Sequence, residues 1–387
     1  MKQKTEEWSA AKKWNPFNSY KLLAQVYRWK LIQRGEAVPQ PALVTIDPTN
    51  NCNLKCIWCN SEYILKRRKS WLSKKTLLET ADFLAEWQGS KKWEKGVEGV
   101  CIAGGGEPLL HHHVGDLIDK LVDNGIEVGI VTNGTHIDKF IKPLSKCTWV
   151  GVSVDAGTPE TFEKIKGKDY FEKVIDNMGK LIDYSTTNKT MLGSKRPGYG
   201  VSYKYLLHPY NAGEIVKAVK IAKHIKCKNF HLRPMGIPWD KLGTDESPFD
   251  YESLRIFRSQ IEEARKSETK SFGVYGVTHK FDSKLNVANI FKECYAIFMT
   301  CAIMPATDGN NDHVTVGLCC DRRGDKRLEI MTNEDNINKL APLWGSKKHW
   351  KIFDDLDMSC CPRCTYQPHN QIYEHVIKDD SMTYKFI

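Results

Sequence analysis

The sequence predicts an α/β protein, with a parallel sheet that is either open or curled into a partial barrel and a small cysteine-rich C-terminal domain. Three observations support this prediction. Short apolar segments alternate with amphipathic ones from residue 42 to about residue 235, this rhythm stops past residue 290, and ten of the 13 cysteines fall into two groups. The 387 residues suffice for two or three domains at about 150 residues each.

Six apolar segments predict the strands of the sheet: residues 42–47, 100–103, 127–132, 149–155, 200–206 and 229–233. Amphipathic segments predict helices: one starts after Ser73 as N-cap, and the others cover about 117–124, 137–144, 172–184, 212–224 and 250–267. Strand–helix units in series make a parallel sheet, and catalytic groups in such folds lie at the C-terminal ends of the strands.

We expect five segments along the chain. A helical extension covers residues 1–40, the strand–helix core covers 41–235, and a helical connector covers 236–289. The cysteine-rich domain covers 290–370, and a tail covers 371–387.

Charge and composition exclude several classes of protein. The 57 Lys and Arg residues exceed the 47 Asp and Glu residues by ten, which suits a polyanionic partner but does not prove one. The charged N-terminus lacks the apolar core of a signal peptide, and the longest apolar stretch, around 295–305, is too short to cross a membrane. We therefore expect a cytoplasmic protein without a membrane partner, whose cysteines bind metal or do redox chemistry rather than form disulfides.

The first cysteine group lies at the C-terminal end of the first predicted strand. Cys52, Cys56 and Cys59 have the spacing C-x3-C-x2-C, and no fourth Cys or His lies near enough to complete a structural zinc site. Three thiolates fit a 4Fe–4S cluster with one iron left for an outside ligand. Such an open iron indicates chemistry at the cluster.

This motif, with Trp58 just before its last cysteine, resembles that of the radical S-adenosylmethionine (SAM) enzymes, and the resemblance covers roughly residues 40–235. It implies a partial (β/α)6 barrel that binds a 4Fe–4S cluster and SAM. The segment from Gly104 to Pro108 resembles the GGEP motif of that family. The backbone at Gly105 and Gly106 and the Glu107 carboxylate are then expected to meet the amino group of SAM.

Further residues at strand ends are expected around the same cofactor. Ser153 and Asp155 resemble the ribose-contacting strand of the family, although Asp155 alone would equally suit a helix cap. Asn133 ends the third strand and is expected to line the pocket. Arg233 ends the sixth strand and is the candidate to pair with the SAM carboxylate or with substrate, the alternative being a surface ion pair.

The second cysteine group predicts a closed four-thiolate site. Cys301 and Cys319 flank a predicted hairpin with its turn at 308–311, and Cys361 and Cys364 form a C-x2-C pair. Iron and zinc both occupy such sites.

The pattern resembles the twitch auxiliary-cluster domain, the short relative of the SPASM domain, as in 2-deoxy-scyllo-inosamine dehydrogenase-type proteins. The resemblance implies one auxiliary 4Fe–4S cluster. Cys294, Cys320 and Cys360 stand near the chosen ligands and remain alternatives to them.

The resemblance implies a radical SAM oxidoreductase that abstracts a hydrogen atom from substrate. We expect a sugar or aminocyclitol-like substrate, an auxiliary cluster as electron acceptor, and an external one-electron reductant such as flavodoxin or ferredoxin.

Three alternative functions are considered from the same sequence features. Peptide modification by thioether formation or epimerisation is the main alternative, although only about 40 residues precede the first strand, fewer than the roughly 50 of a leader-binding domain. RNA modification would use the basic run at 66–69, but no RNA-binding module is recognisable, so we do not expect a nucleic-acid partner. A non-catalytic iron–sulfur or zinc scaffold fits poorly with the open iron.

Overall fold

The computed structural model describes residues 24–33, 38–88, 96–196, 198–235, 251–276 and 292–358, and from the C-terminal part residues 361, 364, 366, 369–370 and 373–378. Much of the predicted extension, most of the connector, the end of the tail and Cys360 lie outside the described residues.

Ten strands of the described residues form one sheet. They are β1 (Leu43–Ile46), β2 (Gly99–Ile102), β3 (Glu127–Thr132), β4 (Trp149–Ser153), β5 (Gly200–Leu207), β6 (Asn229–Pro234), β7 (Gly273–Gly276), β8 (Thr300–Pro305), β9 (Val314–Gly317) and β10 (Glu329–Glu334). The strand order is β10-β9-β8-β1-β2-β3-β4-β5-β6-β7. All neighbours from β8 to β7 are parallel, while β9 is antiparallel to both β8 and β10. The predicted fold class and all six predicted strands are confirmed.

Two parallel strands extend the sheet beyond the prediction. β7 adds beside β6 at one edge, and β8 adds in parallel to β1 at the other. The predicted hairpin is present as β8 and β9, and β10 continues it as a third strand. The cysteine-rich region is therefore joined to the barrel strands through backbone hydrogen bonds.

Helices connect the parallel strands. They are α1 (Val26–Gln33), α2 (Glu62–Leu65), α3 (Lys74–Glu86), α4 (Val114–Asp123), α5 (Ile141–Leu144), α6 (Pro159–Lys166), α7 (Phe171–Thr187), α8 (Ile215–His224), α9 (Tyr251–Arg265), α10 (Leu340–Leu343) and α11 (Lys347–Asp354). Ser73 caps α3 as predicted, because its side chain accepts a hydrogen bond from the Thr76 N–H. No helix among the described residues is long and apolar enough to cross a membrane.

Alternation along the strands separates an apolar face from a polar one. On β5 and β6, Tyr203, Tyr205, Phe230 and Leu232 are fully buried in the core. The residues between them point to the opposite, concave face of the sheet, where polar side chains collect. The strands' C-terminal ends on this face carry the candidate site.

Candidate active site and cysteine cavities

The first cysteine loop leaves β1 and packs against the end of α6. The Lys55 N–H donates to the Lys166 carbonyl and the Ile57 N–H donates to the Ile165 carbonyl, each at 3.0 Å. These two bonds fix the loop on either side of Cys56, so that the three thiols are displayed on a rigid support.

The three thiols lie close enough to affect one another. Burial, with smaller contributions from Glu107, Cys56 and Cys59, raises the pKa of Cys52 to about 11. Burial is also the main cause that raises the pKa of Cys56 and of Cys59. A thiol with a raised pKa keeps its proton until a metal displaces it, so the trio is suited to a cationic occupant.

A buried ion pair lies beside these thiols. The Lys166 ammonium pairs with the Asp155 carboxylate, and both side chains are at most 3% exposed. Lys166 lowers the pKa of Cys56, so its charge acts directly on the loop. Sequence reasoning missed Lys166, because a lysine at the end of an amphipathic helix gives no signal of burial.

Asp155 does not have the environment expected of a ribose ligand. Its Oδ2 pairs with Lys166, and its Oδ1 accepts a 2.7 Å hydrogen bond from the Leu206 N–H. The side chain is 1% exposed, and the backbone takes a left-handed conformation with φ of 62°. Both carboxylate oxygens are engaged by the protein, and a contact of Asp155 with the ribose stays a prediction.

The predicted glycine turn packs directly onto the cysteine loop. A Cβ on Gly106 would lie 2.3 Å from the Asn51 carbonyl oxygen, so only glycine allows this approach. The Gly105 N–H donates to Asp47 Oδ2 at 3.1 Å. The resulting backbone surface lies against the thiols and is open to a close-fitting ligand.

The Glu107 carboxylate is bonded to the end of β3. It accepts hydrogen bonds from Thr132 Oγ1 at 2.6 Å, the Asn133 N–H at 2.7 Å and the Leu109 N–H at 3.0 Å. Burial raises its pKa, and these bonds oppose that shift. Glu107 therefore fixes the turn to the sheet, with little acceptor capacity left for another donor.

The other predicted residues take different positions around the loop. The Asn133 amide donates to Asn53 Oδ1 at 2.8 Å and so ties the loop to β3. Trp58 is buried and stacks on His208, with ring centroids 4.9 Å apart. Ser153 is half-buried and Arg233 is exposed, both at strand ends on the concave face.

A polar row crosses the concave face at one level. Strand register aligns Ser153 of β4 with Lys204 of β5, Lys204 with His231 of β6, and His231 with Tyr275 of β7. Lys204 Nζ lies 2.9 Å from His231 Nδ1. This row provides hydrogen-bonding groups for a polar ligand inside the barrel.

Four cysteines of the second group line one cavity. They are Cys294, Cys319, Cys361 and Cys364. Cys301 does not line this cavity: it is fully buried in β8, and alternation turns its side chain away from that of Thr300, which does line it. Cys294 thus lines this cavity with three of the predicted ligands, and the ligand role of Cys301 stays a prediction.

The thiols of this second cavity receive hydrogen bonds from their surroundings. Asn370 Nδ2 lies 3.6 Å from Cys294 Sγ, and Arg322 Nη1 lies 3.4 Å from Cys361 Sγ. Burial raises the pKa of Cys294 to about 11 and also raises that of Cys364. Cys320 points elsewhere, with its Sγ 3.1 Å from the Tyr366 hydroxyl.

Both thiol groups fit a cluster better than a single ion. In the described part of the chain, no three Cys, His, Asp or Glu side chains are gathered to hold one metal ion. A 4Fe–4S cluster is larger, and each thiolate binds a different iron. The thiolate donor sets therefore suit the iron atoms of such a cluster at both sites.

The two cysteine regions are joined by polar contacts. Arg323 Nε lies 2.6 Å from Asp47 Oδ2, the oxygen that also accepts the Gly105 N–H. The Tyr63 hydroxyl donates to the Arg323 carbonyl at 2.8 Å. Arg67, which belongs to the basic run at 66–69, also connects the two regions, because its Nη2 donates to the Gly324 carbonyl at 3.2 Å. Part of that run therefore makes intramolecular contacts.

Comparison with known proteins identifies a domain within this chain. Residues 46–196 match the model of the radical SAM superfamily. This segment is a radical SAM domain. Radical SAM enzymes use a 4Fe–4S cluster and SAM, which agrees with the cofactors implied by the cysteine motif.

Relatives and folds agree with this family. A probable GTP 3′,8-cyclase of Methanocaldococcus jannaschii is 32% identical over 145 residues, which is 37% of this chain and 46% of that protein. The GTP 3′,8-cyclase of Paenarthrobacter nicotinovorans is 30% identical over 131 residues, 33% of this chain and 35% of that protein. The chain thus spans less than half the length of these relatives.

Two solved structures share the fold over most of their length. Streptococcus suis SuiB bound to S-adenosylmethionine superposes with a TM-score of 0.58 and 15% identity, covering 88% of this chain and 74% of that one. Native anSMEcpe with bound AdoMet superposes with a TM-score of 0.55 and 17% identity, covering 86% of this chain and 89% of that one.

Proposed function

We propose that this enzyme carries two 4Fe–4S clusters. Cys52, Cys56 and Cys59 hold the one that binds SAM, with one iron open to it. Cys294, Cys319, Cys361 and Cys364 hold the second. The observation that carries this proposal is the cavity that four cysteines from three separate segments line, in a chain that also has the three-cysteine loop.

When bound, the first cluster and SAM supply a 5′-deoxyadenosyl radical that removes a hydrogen atom from substrate. Residues of the chain hold the binding site for SAM in a fixed geometry before this step. Asp47 and Glu107 hold the glycine turn against the cysteine loop, and Trp58 is fixed by stacking on His208. Lys166 provides a fixed positive charge beside Cys56. Together these contacts position SAM and restrict the access of water.

We propose that the net reaction is an oxidation. After losing a hydrogen atom, the substrate loses one electron and one proton, which completes a two-electron change. The second cavity is the acceptor site for the electron. The Lys204–His231 pair, with its 2.9 Å contact, is the acceptor for the proton because it lies on the concave face.

A polar small molecule of the sugar or aminocyclitol type is the proposed substrate. The row of Ser153, Lys204 and His231 supports it, because alternating donors and acceptors at one level suit vicinal hydroxyl or amino groups. An external one-electron reductant of the flavodoxin or ferredoxin type would supply the first electron.

Peptide modification is the second candidate. Both fold relatives include structures with peptides, SuiB with the precursor peptide SuiA and anSMEcpe with the Kp18Cys peptide. GTP is a third compound to assay, since it is named for the relatives at about 30% identity. Each is tested by adding the compound to reduced enzyme and SAM and searching for a product by mass and by chromatography: an oxidation removes two hydrogens, whereas an isomerisation changes only the retention time.

The double variant Cys361→Ala, Cys364→Ala tests the division of roles. Two remaining thiols cannot hold the second cluster, so the folded variant should still form 5′-deoxyadenosine with dithionite but little oxidised product. Circular dichroism and the iron content of the first site control for folding, because metal binding also stabilises the fold. Full turnover by the folded variant would instead indicate a structural second site and a redox-neutral reaction.

A further inference from the structure

Arg322 occupies a distinctive position at the second cavity. It lies on the loop after β9, three residues beyond Cys319, and lines the cavity. Its Nη1 lies 3.4 Å from Cys361 Sγ, while its Nη2 lies 2.6 Å from Asp325 Oδ2. The side chain is 13% exposed, so this guanidinium acts on the thiol with little screening by water.

The donors at the other three thiols are neutral. Cys294 receives the Asn370 amide, Cys319 receives the backbone N–H of Arg322, and Cys364 receives the backbone N–H of Tyr366. The donor at Cys361 is a cation. Hydrogen bonds with a charged partner are roughly twice as strong as neutral ones, so Arg322 exerts the largest effect of these donors on its thiolate.

Reduction adds one negative charge to an iron–sulfur cluster. Hydrogen bonds to the cluster's sulfurs and positive charge near it stabilise the reduced form and raise the reduction potential. We propose that Arg322, through Cys361, raises the reduction potential of the cluster in the second cavity and so makes it the electron acceptor for the substrate radical. This rests on the proposed function, because it requires that a cluster occupy this cavity.

The neighbouring Arg327 offers a matched control. Arg327 Nη2 pairs with the same Asp325 Oδ2 at 2.9 Å, and its side chain is 55% exposed. Removing either arginine changes the local charge by one unit and takes one partner from Asp325. Arg322 Nη1 contacts Cys361 Sγ, whereas the Arg327 guanidinium contacts Asp325. The difference between the two variants therefore isolates the contact with the thiol.

The experiment measures the midpoint potential of the second cluster by anaerobic titration followed by electron paramagnetic resonance. The full chain with Cys52, Cys56 and Cys59 changed to Ala is used, so that the signal comes from the second cavity alone. Arg322→Gln should shift the ratio of reduced to oxidised cluster about tenfold towards oxidised at a given ambient potential, a fall of about 59 mV for a one-electron couple. Arg327→Gln should leave the potential close to that of the parent.

Equal falls in both variants, or no fall in Arg322→Gln, would overturn the proposal. If Arg322→Gln fails to assemble the cluster, Arg322→Lys is measured instead. A lowered potential at normal iron content supports the role of the planar N–H···S contact. A potential equal to that of the parent contradicts that role. Absence of any cluster in the parent, with about zero iron after reconstitution, would instead refute the proposed function. The two failures are thus distinguishable.

Discussion

The two cysteine regions position their thiolates in different ways. The first places three thiols on one short loop, fixed by two backbone bonds to α6 and by a fully buried ion pair, Lys166–Asp155. The second gathers four thiols from three separate segments, with a partly exposed pair, Arg322–Asp325, beside them. The first site is therefore rigid and local, while the second depends on the packing of the whole C-terminal region.

The regions are nevertheless one structure. β8 pairs with β1, the strand that leads into the first cysteine loop, and Arg323 pairs with Asp47 at the end of that strand. Burial, followed by the nearby Cys320 thiol, raises the pKa of Cys101 on β2 to about 12. The second region is therefore in contact with the ends of β1 and β2.

The largest effect is expected at the first loop. Cys56→Ala should abolish 5′-deoxyadenosine formation, because two thiolates cannot hold a cluster with an open iron. The assay uses reconstituted enzyme with dithionite and SAM, and the wild-type rate is the reference. Formation of 5′-deoxyadenosine at that rate by the variant would show that this loop is not the site of SAM cleavage.

The buried ion pair should matter more to stability than its exposed counterpart. Lys166→Met leaves the Asp155 carboxylate buried without its cation, so the free energy of unfolding should fall by about 3–5 kcal/mol. Arg327→Gln, at the exposed side of Asp325, should cost at most about 1 kcal/mol. Urea denaturation of the metal-free protein measures both.

A double variant controls for the loss of packing at Lys166. Lys166→Met with Asp155→Asn removes the uncompensated charge, so most of the lost stability should return. If the single and double variants unfold at the same urea concentration, the pair is not the source of the effect.

Loss of the Arg323–Asp47 contact, which joins the two regions, should have a smaller effect, on the affinity for SAM. Arg323→Gln frees Asp47, which positions the Gly105 N–H, so SAM should bind about tenfold more weakly, or about 1.4 kcal/mol. Calorimetric titration of reconstituted enzyme with SAM measures this, and Arg323→Lys, which keeps the charge, is the control. Unchanged affinity in a folded Arg323→Gln variant would mean that the two regions are energetically independent.

Sequence patterns predicted the parts of the molecule that depend on local order. Strands β1 to β6 follow apolar segments of suitable length, and the spacing of Cys52, Cys56 and Cys59 fits within one loop. β7 was not predicted, because two of its four residues are glycines and the segment therefore has little apolar pattern. Its pairing with β6 arises from the tertiary fold.

The choice between Cys294 and Cys301 could not be predicted from spacing. Every residue of β8 from Thr300 to Met304 is buried, so no alternation in the sequence indicates which face carries the cavity. Cys294 reaches the cavity because residues 295–298 form a tight turn before β8. The sequence pattern does not indicate the burial of Lys166 either, because its partner Asp155 belongs to another element.

Comparison of Cys294→Ala with Cys301→Ala tests the central claim most directly. Both are made in the chain lacking the three cysteines of the first loop, where the parent should hold about four irons after anaerobic reconstitution. Iron content and the electron paramagnetic resonance spectrum of the reduced cluster are measured on each. We predict that Cys301→Ala matches the parent in both, while Cys294→Ala loses iron or changes the spectrum. Parental values in Cys294→Ala, together with loss or change in Cys301→Ala, would contradict the account.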